Sequence, residues 1–373
     1  MDEFKVFHDI TANPRGYASK WKEMSKGLVI GYLCSYSPEE LIHAAGALPF
    51  RILGYQDNDH LSDSHLQAYC CSFARAAMGD ALGGKLSFLD GTVFPHTCDT
   101  IQRLSDIWRL NAGFPIHIDV ILPVKLNSES ARAYCIEVFK KFKRDLEKKM
   151  GIEITEEKLK ETAILYNALR EKIMEIYSLQ RQVPGIISGK DLYTLLNAAA
   201  LMDRRDLLSH LETVVKALAA KHSAIPDANK KRVLLSGGIC GHPDIYSVIE
   251  ASGGVVVGDD LCTGSRSFDG SIDMDNDVVA AIARRYMDRM NCPSKHSGLS
   301  NRGRDLLDIA RRNGAHGVIF LFLKFCDPHG FDYPYLKSYL DDEGIPSLLL
   351  EVEKHDLFDG QLKTKIESFI EIL

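Results

Sequence analysis

Residues 318–332 read Val-Ile-Phe-Leu-Phe-Leu-Lys-Phe-Cys-Asp-Pro-His-Gly-Phe-Asp. The apolar run from Val318 to Leu323, bounded by Gly317 and Pro328, has no polar face to offer water. It predicts a strand buried on both sides in the middle of a parallel sheet. Cys326 then falls just past the carboxyl end of that strand. Ligands of open α/β sheets bind at that edge, because the loops there face one crevice. A single buried thiol is most often a small core group, so the weight of Cys326 depends on whether its placement recurs.

It does recur. Strands are predicted over residues 28–33, 49–53, 89–95 and 116–124, with helices between them. The helix over 38–47 has Ser37 at its N-cap, Pro38 at its first position and Glu39 and Glu40 in its first turn. A second helix over 69–84 starts near Cys70-Cys71-Ser72, and a third follows Cys98 through Trp108. From about Ser128 the strand signal is lost, and helices are predicted over 130–150, 155–182 and 190–221. Alternation resumes at Lys231, with strands over 233–239, 255–261, 318–325 and 346–352. Helices over 244–252, 275–289, 302–313 and 335–343 separate or follow them. At 373 residues the chain exceeds what one core usually supports. The expected fold class is α/β: two doubly wound parallel-sheet domains of flavodoxin or Rossmann type, joined by a helical segment. The expected boundaries are an N-terminal α/β domain over 1–127, a helical segment over 128–225 and a C-terminal α/β domain over 226–373.

Net charge −6 and a pI of about 6.1 argue against nucleic acid or an anionic membrane surface as partner. The acidic start Met-Asp-Glu-Phe-Lys has no apolar core, and no apolar run approaches the roughly 18 residues of a membrane span. A cytoplasmic location is therefore expected, where disulfides are disfavoured. The nine cysteines are an odd number and include no Cys-x-x-Cys, which removes zinc ribbons and thioredoxin-like motifs.

Cys34, Cys98, Cys240, Cys262 and Cys326 each directly follow a predicted strand. Cys71 begins a helix, where backbone N–H groups and the dipole favour a thiolate. Cys135 and Cys292 read as core. Thiolates scattered in sequence but gathered at one crevice suit an iron–sulfur cluster better than structural zinc, which draws on close local pairs. Cys71, Cys98 and Cys326 are a set of three that leaves one iron open to substrate or water. His96, two residues before Cys98, is the histidine expected to reach the crevice. Ser35 and Ser37 are placed to donate hydrogen bonds there.

Two other motifs compete. Ser236-Gly-Gly-Ile-Cys-Gly241 follows a strand and precedes a helix, and Asp259 and Asp260 end the next strand, approximating a dinucleotide fingerprint. Serine stands where its first glycine belongs, and no nicotinamide nucleotide is expected there. Gly79-Asp-Ala-Leu-Gly-Gly-Lys-Leu86 imitates a phosphate loop, but Leu86 replaces the metal-binding hydroxyl and the segment ends a helix.

Cys34-Ser-Tyr-Ser-Pro-Glu-Glu-Leu-Ile-His-Ala-Ala-Gly-Ala-Leu-Pro49, Cys71-Ser-Phe-Ala-Arg75, Thr97-Cys-Asp-Thr100, Asp259-Asp-Leu-Cys-Thr-Gly-Ser-Arg266 and Lys324-Phe-Cys-Asp-Pro328 occur in this order across nearly the whole chain. Together they resemble the 2-hydroxyacyl-CoA dehydratase / benzoyl-CoA reductase family. The resemblance implies paired two-domain α/β subunits, each with a 4Fe-4S cluster held here by Cys71, Cys98 and Cys326. It also implies a larger homologous iron–sulfur subunit, a separate ATP-hydrolysing iron–sulfur activator and an acyl-CoA substrate. Residues 89–104 and 259–266 look more like the smaller benzoyl-CoA reductase subunit, so reduction of benzoyl-CoA or a related aryl-CoA is the first expectation. The alternatives are a subunit that eliminates water from an (R)-2-hydroxyacyl-CoA through a ketyl radical, and a non-catalytic electron relay or scaffold. A branch of the family with a double-cubane 8Fe-9S cluster needs further cysteines, which Cys34, Cys240 and Cys262 keep open.

Overall fold

Two four-stranded parallel sheets carry the chain. The computed structural model describes residues 3–54, 59–221, 229–241, 244–274, 277–289, 291–295, 297–352 and 360–373. The first sheet has the order β2-β1-β3-β4 and is built from β1 (Val29–Tyr32), β2 (Leu48–Arg51), β3 (Gly91–Pro95) and β4 (Ile116–Val120). The second has the matching order β6-β5-β7-β8, from β5 (Lys231–Gly237), β6 (Gly254–Asp260), β7 (Gly317–Leu323) and β8 (Ser347–Val352). The fold class is the one expected.

β7 lies between β5 and β8 and is buried along its whole length, as its unbroken apolarity requires. In each sheet the chain steps outward from one central strand, then returns to the other side. The order thus reverses between β1 and β3, and again between β5 and β7, and such reversals open a crevice at the carboxyl ends. Gly237 closes β5 where it nearly touches β7. A Cβ there would lie 2.1 Å from the Leu321 carbonyl oxygen, so only glycine fits the turn.

Between the sheets run helices Glu129–Met150, Glu156–Gln182, Gly189–Ala199 and Arg204–Ala220. Ser128, Thr155 and Ser188 cap the first three by accepting from Ala131, Lys158 and Asp191 N–H groups. The helix expected over 190–221 is two helices. Asp203 accepts from the N–H groups of Arg205 and Asp206 and so starts a new helix at Arg204. One apolar core joins Val29, Leu48 and Phe94 of the first sheet to Ile173 and Leu195 of the helices and to Val233 and Ile319 of the second sheet. The helical segment therefore packs as a joint with a shared interior. The boundary expected between residues 225 and 226 lies outside the described residues. No helix among the described residues is long and apolar enough to cross a membrane.

The helix after β7 also differs from expectation. It spans Asp327–Asp342 instead of starting near 335, and passes through Pro334. Pro328 stands in its first turn, where the missing N–H costs nothing. Phe325 adopts φ +66°, a left-handed conformation, and the Cys326 N–H bonds Leu323 O at 3.0 Å. That tight turn places Cys326 at the helix N-cap, directly over the end of β7.

Candidate functional site

Cys71, Cys98 and Cys326 share one local geometry. Each is the N-cap residue of a helix: Ser72–Leu82, Asp99–Asn111 and Asp327–Asp342. None uses its side chain as the cap acceptor. Three helix N-termini therefore present their positive ends next to thiols. Burial works in the opposite direction and dominates. It pushes Cys71 up to about 11 and Cys98 up to about 12, and raises Cys326 further. Mutual proximity adds to this: Cys71 raises Cys98, and Cys71 and Cys98 both raise Cys326. Cys71 and Cys98 belong to the first sheet's half of the chain and Cys326 to the second, so the electrostatic coupling runs between the two halves.

A second group adjoins them. Cys34 follows β1 with φ +53°, and Cys262 follows β6. Cys262 Sγ accepts from Arg266 Nη1 at 3.1 Å and hydrogen-bonds the Cys292 thiol. That contact and burial push Cys262 well up, while Cys292 is drawn down to about 5 by Cys262 and then Arg266. Cys34 and Cys292 both act on Cys98, and Cys292 on Cys326. Cys292 lies in the core, as expected, and its thiol at the same time meets Cys262. It sits in a loop between two helices, where the strand-end pattern cannot find it. Cys135 is buried on the apolar face of its helix, as expected. Cys240 is buried behind its strand with its N–H on Thr263 Oγ1 at 3.4 Å, and its thiol acts on Tyr246.

The remaining site residues are held by the protein itself. Ser35 accepts from Arg289 Nη2, through its carbonyl at 2.9 Å and its Oγ at 3.2 Å. Ser37 Oγ donates to Leu33 O at 2.6 Å. The helix begins at Glu39 with Pro38 at the cap, so the N-cap role expected of Ser37 is corrected. His96 Nε2 pairs with Asp119 at 3.0 Å on the neighbouring strand. His329, which the sequence did not single out, has Nδ1 3.2 Å from Cys326 Sγ and a buried Nε2 without a partner. Burial, then Arg266 and Arg302, lower it to about 3, so its imidazole is neutral.

The acids of the dinucleotide-like motif are also taken. Asp260 pairs with Arg266 and with Arg302 at 3.1 Å. Asp259 binds the Tyr177 hydroxyl and the N–H groups of Leu261 and Ser265. Neither carboxylate is left for a ribose. An NADH titration of the full chain is expected to give no saturable signal in the micromolar range, and such an isotherm would overturn that expectation.

Among the described residues, no three His, Cys, Asp or Glu side chains converge on a position for a single metal ion. Fold and site together define an α/β protein with paired parallel sheets and a set of electrostatically linked thiols contributed by both halves of the chain. The chain belongs to the 2-hydroxyglutaryl-CoA dehydratase, D-component family, whose model matches residues 34–373. It is 28% identical over 371 residues to the (R)-phenyllactyl-CoA dehydratase beta subunit of Clostridium sporogenes, covering 99% of this chain and 98% of that one. The (R)-2-hydroxyglutaryl-CoA dehydratase subunit beta of Acidaminococcus fermentans is 28% identical, with 98% of each chain covered. A benzoyl-CoA reductase subunit of Thauera aromatica is also 28% identical, covering 88% of this chain and 86% of the relative. Dehydratase and reductase subunits thus stand at the same identity, and all three relatives are named as subunits.

Proposed function

We propose that this chain is the iron–sulfur subunit of an acyl-CoA reductase that works with a larger homologous subunit and an ATP-hydrolysing activator on benzoyl-CoA or a related aryl-CoA. The observation that carries the reading is the trio Cys71, Cys98 and Cys326. One buried and two half-buried, these thiols cannot all ionise against one another's charge without a cationic group among them. A cluster meets that need, since each thiolate takes its own iron and the ligands need not converge on one ion. When bound, a 4Fe-4S cluster supplies low-potential electrons and an open iron. The three helix N-termini hold the thiolates and favour their charge, the apolar core beneath Cys71 excludes water, and neutral His329 fixes the Cys326 thiol from the side.

A second reading has its own observation. Cys34, Cys262 and Cys292 bring the linked thiols to six, two sets of three, which suits the double-cubane 8Fe-9S cluster. Anaerobic iron and sulfide analysis with EPR of the reduced protein separates the two: about four irons per chain for the first, about eight for the second. Neither is right if the protein, prepared without oxygen, carries no iron above background. With partner, activator and ATP present, the reductase reading expects benzoyl-CoA to be consumed together with electrons. Redox-neutral loss of water from a 2-hydroxyacyl-CoA, with no aryl-CoA reduction, would replace it with the dehydratase.

A further inference from the structure

Arg51 ends β2 with its guanidinium buried, 2% exposed. Nη1 donates to Cys262 O at 2.8 Å and to Ser267 Oγ at 3.2 Å, tying the first sheet to the loop after β6. Nε and Nη2 have no hydrogen-bond partner among the described residues. Arg51 lines a small, part-open cavity of about 30 Å³, with Tyr32, Ser35, Asn197, Thr263 and Ser267 among its other walls. Leaving two donors of a buried cation unsatisfied costs several kcal/mol on general grounds, so the arrangement implies an occupant.

The charge around the cavity gives its sign. Arg170 and Arg285 share the buried Glu40, and the buried Arg204 pairs with the half-buried Glu39 at 2.5 Å. With Arg51 that makes four guanidinium groups against two carboxylates. Burial, then the charge of Arg170, pulls Arg285 down to about 9, with Glu40 acting the other way. A water would satisfy one donor and leave the charge as it is.

Shape and size narrow the class. Nε–H and Nη2–H leave one edge of the planar guanidinium side by side, matching the two oxygens of a carboxylate. The volume admits only a few atoms, which excludes an aryl group or any part of a nucleotide. We propose that this cavity is a binding site for a small planar oxyanion, of the formate or bicarbonate class, held bidentate by Nε and Nη2 of Arg51. The proposal does not rest on the iron–sulfur reading, and its test applies to the chain with or without metal. An occupant would stiffen the Arg51 link between β2 and the Cys262 loop.

The experiment titrates the full chain with sodium formate and with bicarbonate at constant ionic strength, with chloride as control, read by calorimetry and by thermal melting. Saturable binding of at least one, with Tm rising with concentration as linkage requires, is the expected result. Arg51→Gln should weaken binding by about tenfold or more, the loss of a charge-assisted pair. Ala199→Val, which narrows the cavity without touching a charge, should weaken it similarly while the fold is retained. The absence of any saturable anion response in the wild-type chain overturns the proposal and leaves the cavity to water. Unchanged affinity in a folded Arg51→Gln or Ala199→Val variant overturns it as well.

Discussion

Cys326→Ser is expected to abolish cluster iron and activity while leaving the fold intact, and Cys71→Ser and Cys98→Ser should behave alike. Separation of the two effects follows from where these residues sit. All three are N-cap positions, and serine is a better N-cap than cysteine because its hydroxyl accepts from the N2 or N3 N–H. The replacement therefore costs the helix nothing and adds up to about 1 kcal/mol of local stability. As a ligand it is far poorer, since a buried hydroxyl does not ionise and iron–sulfur clusters are held by thiolates. Two remaining thiols do not hold a cubane, so iron and sulfide should fall to background and the reduced EPR signal should vanish. Circular dichroism and Tm of the metal-free protein should match the metal-free wild type. Cys135→Ser, in the apolar face of its helix, should keep full iron. A Cys326→Ser protein with wild-type iron content and EPR would sink the assignment. Cys262→Ser and Cys292→Ser then discriminate between clusters: loss of about half the iron, or of all of it, fits the larger one, and no loss fits the 4Fe-4S cluster.

The parts of this site visible in the sequence are those with a local cause. β7 announces itself because a strand covered on both faces must be apolar throughout, and Cys326 inherits its position from the end of that run. The same logic finds Cys34, Cys98, Cys240 and Cys262. Cys292 escapes it because its position depends on a loop meeting β6 in space, which no periodicity encodes. Glu39 and Glu40 show a different failure. As first-turn acids they read as exposed complements to a helix dipole. Instead Glu40 is fully buried and receives Arg170 from 130 positions away and Arg285 from 245 positions away. Arg51 is missed for the same reason: nothing at the end of an apolar strand says that a guanidinium will turn inward with two donors unpaired. Helix limits fail where chemistry at a cap overrides propensity, as at Asp203, or where a left-handed residue such as Phe325 starts a helix early.

Arg302→Gln is expected to cost about 3–5 kcal/mol of folding stability at pH 7, the usual result of removing one partner from a buried ion network. Arg302 is 1% exposed, and its Nη2 reaches Asp260 at 3.1 Å and Asp332 at 2.9 Å. Its Nη1 also donates to Asn291 O at 2.8 Å. Glutamine has neither the charge nor the second fork, so Asp332 loses the Arg302 cation and Asp260 keeps Arg266 and the Ser236 hydroxyl. The pH dependence has a definite sign. Burial alone would raise the Asp260 carboxyl, but Arg266 and Arg302 outweigh it and hold the group below its ordinary value. A carboxyl depressed in the folded state adds stability above the unfolded pKa of about 3.9, and that stability is lost as pH falls through the folded value. In the variant Asp260 is less depressed and takes its proton at higher pH, which relieves the uncompensated charge. The stability gap to wild type should therefore be full from neutrality down to about pH 4 and narrow only as pH falls further, first through the variant's folded value and then through that of wild type. Urea unfolding at three or four pH values measures it. A gap below about 1 kcal/mol at pH 7 would place Arg302 among surface-like pairs, and a gap that stays constant with pH would show that packing, not charge, is what Arg302 contributes.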